Sequence, residues 1–385
     1  MERQTGPHLT YVLSKLSSIL VKMHVSEIDT PALVIDLDIF ERNLHRVADY
    51  ARAHALRLRP HAKTHKSVWI GKQQLELGAA GLTVAKVSEA EVMVGADPQE
   101  LLLAFPIIGH AKLERLMRIA QRTRVTVALD SVEAARQLSE AATASGVEVG
   151  VLAETDVGLG RVGVAPGAPL IELARGIDAL PNLRFEGVTF YPGHIKSLDE
   201  AGRRALTDLS ELAGRILEDF RRAGIEVKIV SGGSTPALFH SHEIAGLNEI
   251  RPGTYVFNDI NTVHSGGCSM EDCAASILAT VVSTARPGHM IIDGGSKTFS
   301  SDRPNSGEVT FGYLVEAPGA RFHKMNEEHG FVDLTQAARD FRIGERVHMI
   351  PNHVCVAVNL HETVYGVRGE TVEHVWNVEA RGKLQ

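Results

Sequence analysis

RVTVALDSVEAARQLSEAATASGVEVGVLAETDVGLGRVGV, residues 124–164, sets two β-branched runs, RVTVALD (124–130) and VEVGVLAET (147–155), around a segment of helical periodicity. Strands joined by a helix-length connection lie parallel, because a tight hairpin cannot make the crossover. The same alternation extends outward from residue 30 to about 251. Its other strand-like runs are ALVIDL (32–37), LRLRPHAK (56–63), GLTVA (81–85), ELLLAF (100–105), RFEGVTFY (184–191) and EVKIVSGG (226–233). In the first helical stretch, DIFERNLHRVADYARAHA (38–55), residues Ile39, Leu44, Val47 and Ala48 suit one buried face. Eight strand–helix units in series predict an α/β fold, a closed TIM-type (β/α)8 barrel over residues 30–254.

After Pro252 the pattern changes to short strands separated by turns, with little helix: TYVFND, ASILATVVST, HMIIDGG, EVTFGYLVE, ERVHMIP, TVYGVRG and TVEHVWNVEA. A second, C-terminal all-β domain is therefore expected over residues 255–385. Residues 1–29 form an N-terminal extension in which Leu9 to Val21 is mildly amphipathic. Lys15 interrupts that stretch and no small-residue cleavage site follows, so Met23 is an alternative start.

The chain has 385 residues, 44% of them apolar, which suits a large core. A formal charge of −7, with both signs well mixed, argues against nucleic acid as a partner. No run reaches the length of a membrane span. Three cysteines (Cys268, Cys273 and Cys355) without a secretory signature read as reduced thiols in a cytoplasmic protein.

Polar residues gather at the C-terminal ends of the expected strands, where barrel enzymes place their sites. RPHAKTHK (59–66) crowds basic groups around Lys63. Positive charge on His61, His65 and Lys66 would favour the neutral amine that Schiff-base chemistry requires. The competing reading is a solvated basic strand end. IVSGGSTPA (229–237) offers a glycine-rich turn, Ser231, Gly232, Gly233, Ser234 and Thr235, whose amides and hydroxyls can cradle a phosphate. It is also ordinary turn chemistry. In ETDVGLGRVGV (154–164), Arg161 follows two glycines and could grip a ligand, or could pair with Glu154 or Asp156 to hold a loop. In PNHVCVAVNL (351–360), His353 and Cys355 share one face of an extended segment and suit zinc; the alternative is a core pair. Cys268 and Cys273 read as structural.

Taken in order, these segments resemble the fold-type III pyridoxal-5′-phosphate (PLP) enzymes. Within that alanine racemase-like group, the chain is similar to the D-serine dehydratase and D-threonine aldolase family. TPALVIDLDIFERNL, RPHAKTHK, AKVSEAE (85–91), ETDVGLGRVGV, SGGSTP, EIRPGTYVFND (249–259), EEHG (327–330), PNHVC and the closing ARGK carry the resemblance from about Ile28 onward. It implies Lys63 as the Schiff-base lysine, Arg161 against the PLP ring and Arg251 facing the ring nitrogen. Ser231 to Thr235, with Gly253 and Tyr255, would surround the phosphate; His61 and Tyr191 would line the pocket. His353 and Cys355 match the ligands of a divalent metal, zinc before manganese or magnesium.

The resemblance implies a lyase acting on small β-hydroxy D-amino acids, with a homodimer as the assembly. His-x-Cys matches the dehydratases, which would convert D-serine or 3-hydroxy-D-aspartate into a 2-oxo acid and ammonia. The aldolases read His-x-Asp, and YPGHIK (191–196) departs from the dehydratase pattern. The alternative is therefore a D-threonine aldolase, with His194 or a metal-activated hydroxide as the base on the β-hydroxyl. An amino-acid racemase and a non-catalytic PLP carrier are further alternatives.

Overall fold

The computed structural model describes residues 23–304 and 307–385; the amphipathic stretch expected over 9–21 lies outside them. Eight parallel strands form one sheet: Arg57–Leu58, Leu82–Val84, Glu100–Leu103, Arg124–Leu129, Val149–Glu154, Leu183–Thr189, Ile229–Gly232 and Glu249–Ile250. Each pairs with the next in sequence, except at one seam, and the last pairs with the first. Across the seam, a parallel bridge between His61 and Thr83 joins the first strand's extension to the second. There the Ala62 amide donates to Thr83 O at 2.8 Å and the Thr83 amide donates to Pro60 O at 2.8 Å, so the barrel is closed.

The count of eight holds, but its membership changes. The ALVID run pairs antiparallel with Ala275–Ser283 and parallel with Thr363–Arg368, so it belongs to the second sheet. The missing barrel strand is Glu249–Ile250, two residues long and directly followed by Arg251-Pro252. Helices Val68–Glu76, Val87–Met93, His110–Ala120, Val132–Ser145, Ala168–Asp178 and Glu200–Arg222 wrap the barrel. Ser131 starts the fourth by accepting from the Ala134 amide at 3.2 Å, and Gly146 ends it with left-handed backbone. Helix Leu37–Ala53 precedes the first barrel strand. Leu37, Phe40, Leu44, Val47, Ala48 and Ala51 form its buried face, with Ile39 only half-buried beside them.

The second unit is strand-rich, built on the long strand Ala275–Ser283, with short helices at Ile260–His264, Ser296–Phe299 and Val354–Leu360. One buried apolar cluster runs through both units, from Leu33 and Ile35 through the barrel aliphatics Val84, Leu103, Val127 and Val151 to Val347 and Met349. The units therefore share a core. None of the described helices is long and apolar enough to cross a membrane.

Candidate active site

A cavity of about 330 Å³ opens at the barrel mouth, where the strands' C-terminal ends meet the second unit. His61, Lys63, Glu154, Arg161, Tyr191, Arg251, His353 and Cys355 all line it, together with Gly233, Ser234, Thr235, Gly253 and Thr254. Residues spread over almost 300 positions of sequence thus converge on one space.

Lys63 sits in a turn rather than on a strand, since the first strand stops at Leu58. Its side chain forms no ion pair among the described residues, which leaves the amine free. The crowd of positive charge expected around it is smaller than the sequence implies. Burial pushes the His61 imidazole well below the ordinary histidine value, with Lys63 and Arg251 adding to the shift. Burial likewise holds His65 down, at about 3. Lys66 is buried and pairs with Glu89 at 3.2 Å, so it neither competes as the reactive amine nor adds net charge.

The loop after strand Val149–Glu154 is shaped by Asp156, whose carboxylate accepts from the amides of Gly158, Leu159 and Gly160 at 3.0–3.1 Å. Arg161 makes no ion pair with Glu154 or Asp156. Its guanidinium lies 4.8 Å from the centre of the Tyr191 ring, at the cavity wall. Burial raises the Glu154 carboxyl above the usual range, while Arg251 and Arg161 oppose that shift.

The glycine-rich turn lines the cavity, but with a smaller residue set than the sequence suggests. Gly233, with φ +90°, turns the chain at the end of strand Ile229–Gly232. The buried Ser234 hydroxyl has no hydrogen-bond partner. Gly253 faces the turn after His61, where a Cβ would come within 2.8 Å of Thr64 Oγ1 and 3.0 Å of His61 O. An orphaned hydroxyl beside two glycine-lined turns fits a phosphate.

Three expected members lie elsewhere. Ser231 is fully buried and its hydroxyl is committed to Glu249 at 2.6 Å. The Tyr255 hydroxyl is buried against Gln74 at 3.0 Å. Gly232 packs where a Cβ would meet the Phe190 ring at 2.6 Å. His194 also stays outside the cavity lining: its ring lies against Gly158 and its Nδ1 is buried without a partner.

His353 and Cys355 are not on an extended segment. His353 is the residue before helix Val354–Leu360, and Cys355 lies in that helix's first turn, yet both face the cavity. Asp259 was not singled out by the sequence. It is 1% exposed and accepts from His353 Nδ1 at 3.0 Å and from the Val354 amide at 3.1 Å. A carboxylate on Nδ1 leaves Nε2 for a metal, the usual support of a metal-binding imidazole. Burial alone would lower the His353 value, but Asp259 and Cys355 raise it to about 11. Burial pushes the Cys355 thiol up and the His353 contact outweighs it, so the thiol sits below its ordinary value. Thr64 Oγ1, also unforeseen, lies 3.2 Å from Cys355 Sγ. No group of three or more His, Cys, Asp or Glu among the described residues is placed to hold a metal. The two-residue donor set suits an open, catalytic coordination sphere rather than a closed structural one.

The chain has clear relatives. The model of the alanine racemase N-terminal domain matches residues 35–260, and that of a serine dehydratase domain matches 274–367. The 3-hydroxy-D-aspartate aldolase of Paracoccus denitrificans is 34% identical over 94% of this chain and 94% of its own length. The D-threo-3-hydroxyaspartate dehydratase of Delftia sp. is 34% identical over 85% of this chain and 91% of its own. The solved D-threonine aldolase of Filomicrobium marinum superposes with a TM-score of 0.89 at 33% identity, covering 94% of this chain and 99% of that one.

Proposed function

Because the chain belongs to the alanine racemase-like, fold-type III family of PLP enzymes, we propose that it is a metal-dependent lyase of β-hydroxy D-amino acids. The reaction proposed first is dehydration, of D-serine or 3-hydroxy-D-aspartate, to a 2-oxo acid and ammonia. The observation that carries this reading is one cavity holding both an amine free of ion pairs, Lys63, and the His353–Cys355 pair backed by Asp259.

PLP held here supplies an electron sink for the pair released at Cα. Lys63 anchors it; Ser234, with the turns at Gly233–Thr235 and Gly253–Thr254, would hold its phosphate. Arg161, stacked on Tyr191, and Arg251 would flank its ring. His353 and Cys355 would hold a divalent metal, zinc first, which would supply Lewis acidity toward a hydroxide leaving Cβ. With substrate in place, Lys63 is the group placed to take the α-proton. The assembly proposed by resemblance is a homodimer.

The aldolase reading is supported by a 3-hydroxy-D-aspartate aldolase that matches 94% of this chain, against 85% for the dehydratase of equal identity. It needs a base at the β-hydroxyl; of the two candidates, His194 stands outside the cavity lining, whereas a metal-activated hydroxide would lie at the His353–Cys355 pair within it. Cleavage would give glycine and an aldehyde.

Product analysis of the holoenzyme with D-serine, 3-hydroxy-D-aspartate and D-threonine separates these, before and after EDTA and with zinc or manganese restored. Metal-dependent 2-oxo acid with ammonia is the expected result. Glycine with an aldehyde establishes the aldolase; inversion at Cα that survives chelation establishes a racemase.

A further inference from the structure

TIM barrels fill their interior with branched aliphatic layers, but beneath this cavity the interior is charged. Arg59 and Glu249 both have side chains with 0% exposure, and Arg59 Nη2 meets Glu249 Oε2 at 2.8 Å. The same Nη2 reaches Glu100 Oε2 at 2.9 Å, while Arg59 Nε and Nη1 have no partner. The other carboxylate oxygen, Glu249 Oε1, accepts the Ser231 hydroxyl at 2.6 Å. That spends the one proton Ser231 has, so its oxygen is an acceptor for the remaining neighbour, Arg251 Nη1. Arg251 Nη2 donates to Phe190 O at 3.1 Å, and the guanidinium forms part of the cavity wall.

We infer that Glu249 and Ser231 are positioning residues which, linked in series, fix the direction of the Arg251 guanidinium against the ring of the cofactor. The inference rests on the PLP reading of the cavity. Arg251 has a second anion within reach of its field, Glu154 on the cavity wall. Burial draws the Arg251 guanidinium below its ordinary value, and Glu249 and then Glu154 oppose the shift. The Ser231 bond decides between the two directions, because it ties Nη1 to the barrel floor. Without it only the Phe190 O bond holds the guanidinium, which can then pivot about that bond toward Glu154. Glu249 has a second task, since it is the buried anion beside both Arg59 and Arg251. Like charges in a low-dielectric interior repel strongly unless such a counter-charge is present.

The test uses the holoenzyme and three substitutions. Ser231→Ala removes only the link and leaves the Glu249–Arg59 pair intact; Glu249→Gln removes the charge; Arg251→Lys removes the positioned group. The first readout is the absorbance maximum of the bound cofactor, which responds to charge at its ring and needs no substrate. Ser231→Ala and Glu249→Gln are each expected to shift that maximum. Each should lower kcat by roughly 10- to 100-fold, the worth of one hydrogen bond to a charged group. In the Arg251→Lys background, Ser231→Ala should produce no further shift, because residues acting through one group are non-additive. An unchanged absorbance maximum, or Ser231→Ala effects that add to those of Arg251→Lys, would overturn the inference even if the melting temperature falls. Should Glu249→Gln fail to fold, Ser231→Ala decides alone. If the unsubstituted protein shows no cofactor absorbance, the PLP reading itself fails, which is a different result from an unshifted band.

Discussion

Asp259 does two jobs with its two oxygens. Oδ1 starts helix Ile260–His264 by accepting from the Thr262 amide at 2.8 Å and the Thr262 hydroxyl at 2.7 Å, while Oδ2 holds His353 Nδ1. Replacing it unties the imidazole without removing a ligand. Asp259→Ala is expected to lower metal affinity by roughly 10- to 100-fold, with about 1 kcal/mol lost at the helix start. Competition with a chelator and a melting curve measure the two effects separately. His65 makes a different prediction. It is 1% exposed and held at about 3, so between pH 6 and pH 4 the unfolded chain binds a proton that the folded one refuses. Stability therefore falls as pH falls through that window, by up to ~1.4 kcal/mol per pH unit from this residue. Melting temperatures of the unsubstituted protein and His65→Gln across the window should converge in slope only if another group dominates. Lys63, Arg161, His353 and Cys355 were legible as residues because short motifs carry them. Ser231 was misread because a hydroxyl in a glycine-rich turn looks free until the buried Glu249, 18 positions later, is seen to claim it. Asp259 was invisible for another reason: it ends TYVFND, which reads as a short strand, so neither its capping of helix Ile260–His264 nor its contact with His353 leaves a trace in the sequence.

Among the elements, strand Ala32–Asp36 is the instructive one. Its run of four apolar residues, Ala32 to Ile35, gives no sign of which sheet it joins, because a strand buried on both faces has no alternation to read. It lies between Ala275–Ser283 and Thr363–Arg368, so it links the chain's beginning to its last third. Leu33 and Ile35 are fully buried in the common core. Leu33→Ala is expected to cost ~2–5 kcal/mol, which a denaturant titration would register as a lower midpoint. The opposite error concerns Glu249–Ile250, too short to show any period and placed by its neighbours on either side. The helix that starts at Val354 shows how an element can preserve a prediction made for the wrong reason. His353 and Cys355 face one cavity because a strand-to-helix turn bends the chain there, and strand alternation has no part in it.

At the scale of the whole molecule, the barrel supplies Lys63, Arg161, Arg251 and the turns at Gly233–Thr235 and Gly253–Thr254, and the second unit supplies His353 and Cys355. Neither unit alone builds the cavity, and the common core sets their distance. The most direct test of that account is chemical. Borohydride treatment of the PLP-loaded protein reduces the bond between lysine and cofactor, and peptide mapping then locates the added mass. The account predicts a single modified residue, Lys63. Modification of Lys66, which the structure buries against Glu89, or of no lysine at all, would contradict it.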